Sequence, residues 1–237
     1  MTPPFFYAEE ITIAAKEFVL NEETSKHVVQ VLRMQAGEQL QLTDGRGNLF
    51  TAKIIDASRK NCNLAILSCV TQPRSPKQPV LAVSLVKNAH RFEWLLEKAT
   101  EIGVSEIVPL LCSRTEKQHF RVERMRSILV SAMLQSQQVW LPVLHEPIKF
   151  APYIKSIKEG TVSKKFIAHC EKDEPRIQLN TYQPFDSSVI LIGPEGDFTI
   201  DEIELALQNG FTSVALGDTR LRTETAGVVA TTILSLA

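Results

Sequence analysis

Two glycine-bearing loops carry the clearest chemical signal in this sequence. Ile192-Gly193-Pro194-Glu195-Gly196-Asp197-Phe198 follows an apolar run and precedes a helical pattern, and Leu216-Gly217-Asp218-Thr219-Arg220-Leu221-Arg222-Thr223-Glu224-Thr225-Ala226 is placed in the same way. Glycine has no Cβ, so backbone at Gly193 and Gly196 could approach a ligand closely, while Pro194 stiffens its turn. In open α/β sheets ligands sit beyond the carboxyl ends of the strands, so two such loops suggest one shared pocket. Glycines also serve simply to make tight strand-to-helix turns, and the loops alone do not choose between these readings. Other chemistries lack their motifs. The first loop is not G-x-G-x-x-G, and G-x-x-x-x-G-K-[ST], G-x-S-x-G and H-E-x-x-H are absent from the sequence. Dinucleotide, triphosphate, serine-hydrolase and zinc-protease readings therefore have no support. Cys62, Cys69, Cys112 and Cys170 form no C-x-x-C pair, and no His, Cys and carboxylate cluster has ligand spacing, so no metal is expected and the thiols read as reduced and mostly buried.

The elements that must position these loops fall into two styles, divided at Gln72-Pro-Arg-Ser-Pro-Lys-Gln-Pro79, whose three prolines read as a linker. The expected division is residues 1–72, a linker at 73–79, and 80–237. The first part is β-rich with one helix. Asn21 should cap that helix, Val28, Val31 and Leu32 follow at helical spacing, and Gly37 ends it. Gln39–Thr43 alternates as a half-buried strand does, Asp44-Gly-Arg-Gly-Asn48 is a hairpin turn, and Phe50–Ile55 and Leu64–Val70 complete a small β-barrel-like module. After the linker, strand and helix alternate: a strand from Val80, a helix with Phe92, Leu95, Leu96, Ala99 and Ile102 on one face and Gly103 at its end, strand Ile107–Leu111, helix Val122–Gln137, strands Phe166–Cys170 and Val189–Ile192, helix Ile200–Gln208, strand Ser213–Leu216 and a last helix from Thr223. This pattern predicts an α/β layer around a parallel sheet.

The 237 residues carry 26 Lys and Arg against 27 Asp and Glu, a net charge of −1. That excludes a strongly basic nucleic-acid coat but not a local basic face. One stretch stands out: Ser58–Phe92 holds Arg59, Lys60, Arg74, Lys77, Lys87 and Arg91 and no acid. There is no apolar run long enough to span a membrane, and Met1–Glu10 carries two acids and no base, unlike a secretory leader. A cytoplasmic protein is expected.

Gly193-Pro-Glu-Gly-Asp-Phe198, Glu202-Ile-Glu204, Leu216-Gly217 and Leu221-Arg-Thr-Glu-Thr-Ala226 together resemble the C-terminal signature of SPOUT-class RNA methyltransferases, and more closely the 16S ribosomal RNA (uracil-N3) methyltransferase family. The match continues through Arg91-Phe-Glu-Trp-Leu-Leu-Glu-Lys-Ala-Thr-Glu-Ile-Gly-Val104, Ile107-Val-Pro-Leu110 and Gln135-Ser136, and into the N-terminal module at His27-Val-Val-Gln-Val-Leu-Arg-Met34 and Asp44-Gly-Arg-Gly-Asn48, which fit a PUA-like RNA-binding domain. The resemblance departs at three places: Asp197 stands where the family has a second glycine, Gln137-Gln138 where it has Gly-Arg, and Gly227 where alanine is usual.

The resemblance implies a deep C-terminal trefoil knot, a homodimer, and S-adenosylmethionine held by the knotted loops. On that reading the donor packs against Leu191, Ala215, Leu216 and Leu221, with Gly193, Pro194, Glu195, Gly196, Gly217, Arg222, Thr225 and Ala226 completing its site. The implied reaction methylates N3 of a uridine in small-subunit ribosomal RNA, and charge developing on the uracil oxygens calls for positioned donors. Arg222 is the first candidate and Arg114, placed to reach across a dimer on this reading, is the second. Glu224 either orients an arginine, accepts a proton, or is a first-turn acid favoured by the helix dipole; Thr223 is a helix cap or part of the site. Arg33, Arg46, Arg59, Lys60, Lys87 and Arg91 are the expected RNA contacts. Trp94 and Trp140 either stack on bases or are covered in the core or a dimer interface.

Overall fold

A computed structural model of the chain describes residues 3–116, 119–157, 162–171, 175–182 and 187–236. The chain divides into two compact units, Met1–Arg74 with Met133–Leu141, and Ser75–Ala132 with Pro142–Ala237.

The first unit is built on β1 (Phe5–Tyr7), β2 (Glu17–Val19), β3 (Gln39–Thr43), β4 (Asn48–Asp56) and β5 (Asn63–Thr71), in the sheet order β1-β3-β4-β5-β2. All pairings are antiparallel except β1 with β3. β4 shows the expected alternation: Phe50, Ala52 and Ile54 are buried with Leu40, Leu42 and Leu64, while Lys53 points to solvent. The β3–β4 turn is held by Asp44, whose Oδ1 accepts from the Arg46 and Asn48 amides at 2.8 and 3.3 Å. Gly47 at φ 94° has no room for a Cβ, which would run into the Trp140 ring. Trp140 is half-buried, donates its indole N–H to the Gln72 carbonyl, and is covered by the Arg74 guanidinium 5.4 Å from the ring centre.

The helix after Asn21 differs from its expected form. Asn21 does cap α1 (Glu22–Lys26), accepting from the Thr24 amide, but the chain then widens into a π-helical turn over His27–Val31 and stops at Arg33, whose φ is 57°. Gly37 lies beyond this end. The wider turn breaks the 3.6-residue spacing, so Val28 is fully buried whereas Val31 and Leu32 are exposed.

The second unit contains β6 (Gln78–Ser84), α2 (Ala89–Ile102), β7 (Glu106–Leu111), α3 (Val122–Gln135), β8 (Val143–Leu144), β9 (Ile148–Lys149), α4 (Phe150–Ser156), β10 (Lys164–Ala168), β11 (Ile177–Gln178), β12 (Ser187–Ile192), α5 (Ile200–Gln208), β13 (Thr212–Ala215) and α6 (Thr223–Leu236). The last three residues of α3 count with the first unit. The sheet order is β11-β13-β10-β12-β6-β7-β8, with β9 also on β7, and every pairing is parallel. Both faces are covered, so β6 and β12 are continuous apolar runs rather than alternating ones. β6 starts at Gln78, two residues before the expected Val80, and the Pro79 carbonyl accepts from the Ser105 amide and hydroxyl. A proline is tolerated there because it stands at the start of the strand.

Caps set the helix ends. Asn88 accepts from the His90 amide to open α2, and Gly103 closes it at φ 99°. Thr199 and Glu202 form a reciprocal capping box on α5. α6 packs on α2 and β6. Their approach is close at Gly227, where a Cβ would stand 2.7 Å from Leu95 Cδ1, so this glycine makes room for the fully buried Leu95.

Candidate active site

The sheet order reverses its direction of growth beside β6: β7 and β8 extend one way, β12, β10, β13 and β11 the other. Three strands of the second arm, β10, β12 and β13, end at a cavity of about 320 Å³. Its lining comes from Ala168-His169-Cys170 after β10, from Ile192–Glu195 and Asp197 after β12, from Val214–Gly217 and Thr219–Thr223 after β13, and from Arg176 and Ala226. The two glycine loops thus share one pocket. The wall is apolar at Ala168, Ile192, Val214, Ala215, Leu216, Leu221 and Ala226, and charged at Arg176, Glu195, Asp197, Arg220 and Arg222. Such a surface suits a ligand with an apolar body and both signs of charge.

Each loop is fixed by hydrogen bonds. The Thr223 hydroxyl donates to the Gly193 carbonyl at 3.0 Å and ties the two loops together. Arg114, in the connection after β7, donates to the Gly196 carbonyl at 2.7 Å and the Phe198 carbonyl at 3.2 Å. The buried Glu202 carboxylate accepts from the Ser113 amide and hydroxyl at 2.8 and 3.1 Å through one oxygen, and from Thr199 through the other. Gly193 lacks a Cβ where one would press within 3.2 Å of the Phe198 amide nitrogen, and at Gly196 one would stand 3.3 Å from Arg114 Cδ.

Asp197 has φ 65°, a conformation that L residues rarely adopt. Its Oδ2 accepts from the Cys170 amide at 2.7 Å and its Oδ1 from the Phe198 amide at 2.8 Å. The Cys170 thiol is pushed up from its ordinary range by burial first and Asp197 second, with Arg220 and Arg176 acting in the opposite sense. Nearby Cys112 is buried more deeply, and burial followed by Glu202 raises it to about 12. At both cysteines the surroundings disfavour the thiolate, the reactive form. The thiols are less uniformly buried than expected, since Cys62 and Cys112 are buried, Cys69 is half-buried and Cys170 is exposed.

Of the residues singled out from the sequence, Gly193, Pro194, Glu195, Ala215, Leu216, Gly217, Leu221, Arg222 and Ala226 line the cavity. Leu191, Gly196 and Thr225 do not. Leu191 is fully buried with Ala82, Val108 and Phe198, and its neighbour Ile192 lines the cavity instead, because side chains alternate faces along a strand. Arg222 is exposed at the rim and its carbonyl accepts from the Ala226 amide at 2.7 Å. Arg222 therefore occupies the position before α6, and Thr223, weighed as a cap, is the first helical residue with its hydroxyl turned to Gly193. Arg114 lies off the cavity with its guanidinium on loop carbonyls. Glu224 is buried; Oε1 lies 3.6 Å from Arg91 Nε, and Oε2 has no hydrogen-bond partner among the described residues.

The wall formed by Ala168, His169, Cys170 and Arg176 was not legible in the sequence, nor were the places of Ile192, Val214, Thr219 and Arg220. The carboxyl end of the expected Phe166–Cys170 strand was the available signal. His169 is buried, with Nε2 2.9 Å from the Ser213 hydroxyl and Nδ1 accepting from the Glu171 amide, so its ring is packed in place and bonded at both nitrogens.

The basic residues separate by unit. Arg33, Arg46, Arg59 and Lys60 are exposed on loops of the first unit. In the second unit Lys87 pairs with Glu116 at 2.9 Å and gives its amide to Glu195, while Arg91 meets Glu224. The run without acids in sequence is therefore not free of them in space. Trp94 is 44% exposed, so it is not a core residue of this chain.

A parallel sheet covered on both faces, with a ligand cavity at its carboxyl ends and a separate small β unit, is the architecture of a SPOUT-type RNA methyltransferase preceded by a PUA-like domain. Residues 73–235 match the RNA methyltransferase domain model, and residues 20–67 match that of the RNA methyltransferase PUA domain. The chain belongs to this RNA methyltransferase family, in the group of the ribosomal RNA small subunit methyltransferases E. It is 30% identical to the ribosomal RNA small subunit methyltransferase E of Buchnera aphidicola from Acyrthosiphon pisum, over 98% of this chain and 92% of that one. Among solved structures it is similar to a probable rRNA-methyltransferase from Porphyromonas gingivalis, with a TM-score of 0.89, 37% identity and coverage of 96% and 95%. It is also similar to the ribosomal RNA small subunit methyltransferase E from Neisseria gonorrhoeae bound to S-adenosyl methionine, with a TM-score of 0.84, 28% identity and coverage of 97% and 95%.

Proposed function

We propose that this protein methylates N3 of a uridine in small-subunit ribosomal RNA with S-adenosylmethionine as donor. The observation that carries this reading is the cavity at the ends of β10, β12 and β13, lined by both glycine loops, with Arg222 at its rim. The donor fits on the residues present: an apolar wall of Ile192, Ala215, Leu216 and Leu221 suits an adenosine, and the charged groups suit a zwitterionic amino acid. Leu191 packs in the core beside the cavity-lining Ile192, the Gly196 carbonyl is held by Arg114, and Thr225 stands in the first turn of α6. Family membership and the donor-bound relative point the same way.

When bound, the donor supplies an electrophilic methyl group on a sulfonium. N3 must give up its proton as it takes the methyl, and negative charge spreads onto the uracil O2 and O4. Arg222, exposed at the rim, donates to that charge. Arg114 holds the first loop through two carbonyls, and Glu224 holds Arg91 at the start of α6, so both shape the site rather than touch the base. In-line placement of the two substrates supplies much of the rate. RNA is drawn by Arg33, Arg46, Arg59 and Lys60, whereas Lys87 and Arg91 share their charge with acids. The reading includes a trefoil knot through the two loops, consistent with α6 packing back on α2 and β6. It also includes a homodimer, for which the exposed Trp94 on α2 offers an apolar anchor, and a cytoplasmic location with the ribosome.

Titration calorimetry with S-adenosylmethionine tests the donor assignment. One site per chain is expected; no heat and no thermal shift would reject an enzyme in favour of a non-catalytic RNA-binding protein.

A further inference from the structure

We propose that Asp197 is a positioning residue of the methyl-donor cavity, a clamp that holds the β12 loop against the end of β10. The proposal rests on the donor reading given above. Asp197 lies where the family resemblance expects glycine, and a glycine would meet φ 65° without cost. An L residue there is strained, and only short polar side chains that bond locally tolerate it well. The aspartate repays that strain through both oxygens. Oδ1 accepts from the Phe198 amide and fixes its own loop; Oδ2 accepts from the Cys170 amide and reaches the neighbouring strand end.

The second bond is the informative one. Cys170 and Asp197 both line the cavity, and they come from different strand ends, 27 residues apart in sequence. The pairing in the sheet stops at Ala168 with Ile192, so beyond that point the two walls are no longer joined by the ladder. Asp197 supplies the missing cross-link. Gly193 makes space for it, since a Cβ there would stand 3.3 Å from Asp197 Oδ1. Arg114, Glu202 and Thr223 fix this loop to β7, α5 and α6; Asp197 alone among these ties it to β10.

Asp197→Asn and Asp197→Gly separate the clamp from general stability. Asparagine tolerates the same φ but has one accepting oxygen, so it keeps the Phe198 bond or the Cys170 bond and not both. Glycine removes both bonds and the strain together. The expected result for Asp197→Asn is faster hydrogen exchange at one of the two amides, Cys170 or Phe198, and a Kd for S-adenosylmethionine raised about tenfold, the effect of one hydrogen bond to a charged group. KM for the donor should rise with it, while kcat at saturating donor stays within about twofold. Asp197→Gly should give fast exchange at both Cys170 and Phe198 and weaken the donor further, without a lower melting temperature. Unchanged donor affinity in both variants would overturn the proposal, as would wild-type protection at Cys170 in Asp197→Gly. A wild-type chain that takes up no donor would instead overturn the donor reading, and the exchange comparison would still report whether Asp197 joins the two loops.

Discussion

The Thr223 hydroxyl donates to the Gly193 carbonyl at 3.0 Å, and through this bond the first residue of α6 holds the loop that follows β12. Both partners are buried, so the bond is shielded from water and an unmade acceptor is costly. Thr223→Val keeps the shape and deletes the donor. It should lower stability by about 1–2 kcal/mol and weaken donor binding, measured by denaturant unfolding and calorimetry. Unchanged values in both would show that the loops hold each other by packing alone.

Arg222 stands at the rim of the cavity, immediately before α6. Arg222→Ala should reduce turnover about 10²–10³-fold, as loss of one charge-stabilising donor does, while the Kd for the donor changes little. Single-turnover kinetics beside calorimetry separates the two. Full activity in the variant would remove Arg222 from the chemistry.

Glu202 joins Ser113 to Thr199 with four acceptor contacts on two oxygens. Glu202→Gln retains one accepting oxygen and places an N–H donor against another N–H. A loss of about 2–3 kcal/mol is expected, read as a lower urea midpoint with an unchanged slope.

Cys170 is exposed as a residue and lines the cavity, where the partial desolvation of its thiol and then Asp197 raise it. A raised value means less thiolate at neutral pH than an ordinary cysteine, whose thiol ionises near pH 8.5, about the model-peptide value. Alkylation of the folded chain should therefore be slow at pH 7, accelerate as pH rises past that ordinary value, and select Cys170 over the buried Cys62 and Cys112. Saturating donor should protect it. Labelling of Cys112 as fast as Cys170, followed by peptide mass spectrometry, would contradict the burial described here.

Much of this site was legible in the sequence because the two glycine loops sit at the ends of apolar strands, and strand ends are where an α/β sheet binds. What escaped has physical causes. Leu191 and Ile192 are adjacent, and only the sheet decides which faces the cavity. β8 and β9 are two residues each, too short to show a period. Lys87 and Arg91 read as bare charges because Glu116, Glu195 and Glu224 reach them only in the fold. Arg33, Gln137 and Asp197 adopt positive φ without being glycine, so the usual residue signal for a turn was missing at each. The π-helical turn after Lys26 likewise has no compositional mark.

The product nucleoside decides whether this chain methylates uridine at N3. Small ribosomal subunits lacking this methyl group should be incubated with the protein and S-adenosylmethionine, the ribosomal RNA digested, and the nucleosides resolved by mass spectrometry. One 3-methyluridine per subunit, absent without donor and strongly reduced with Arg222→Ala, is the expected result. A 2′-O-methylnucleoside, a methyl group on another base, or no product from a protein that binds the donor would contradict it.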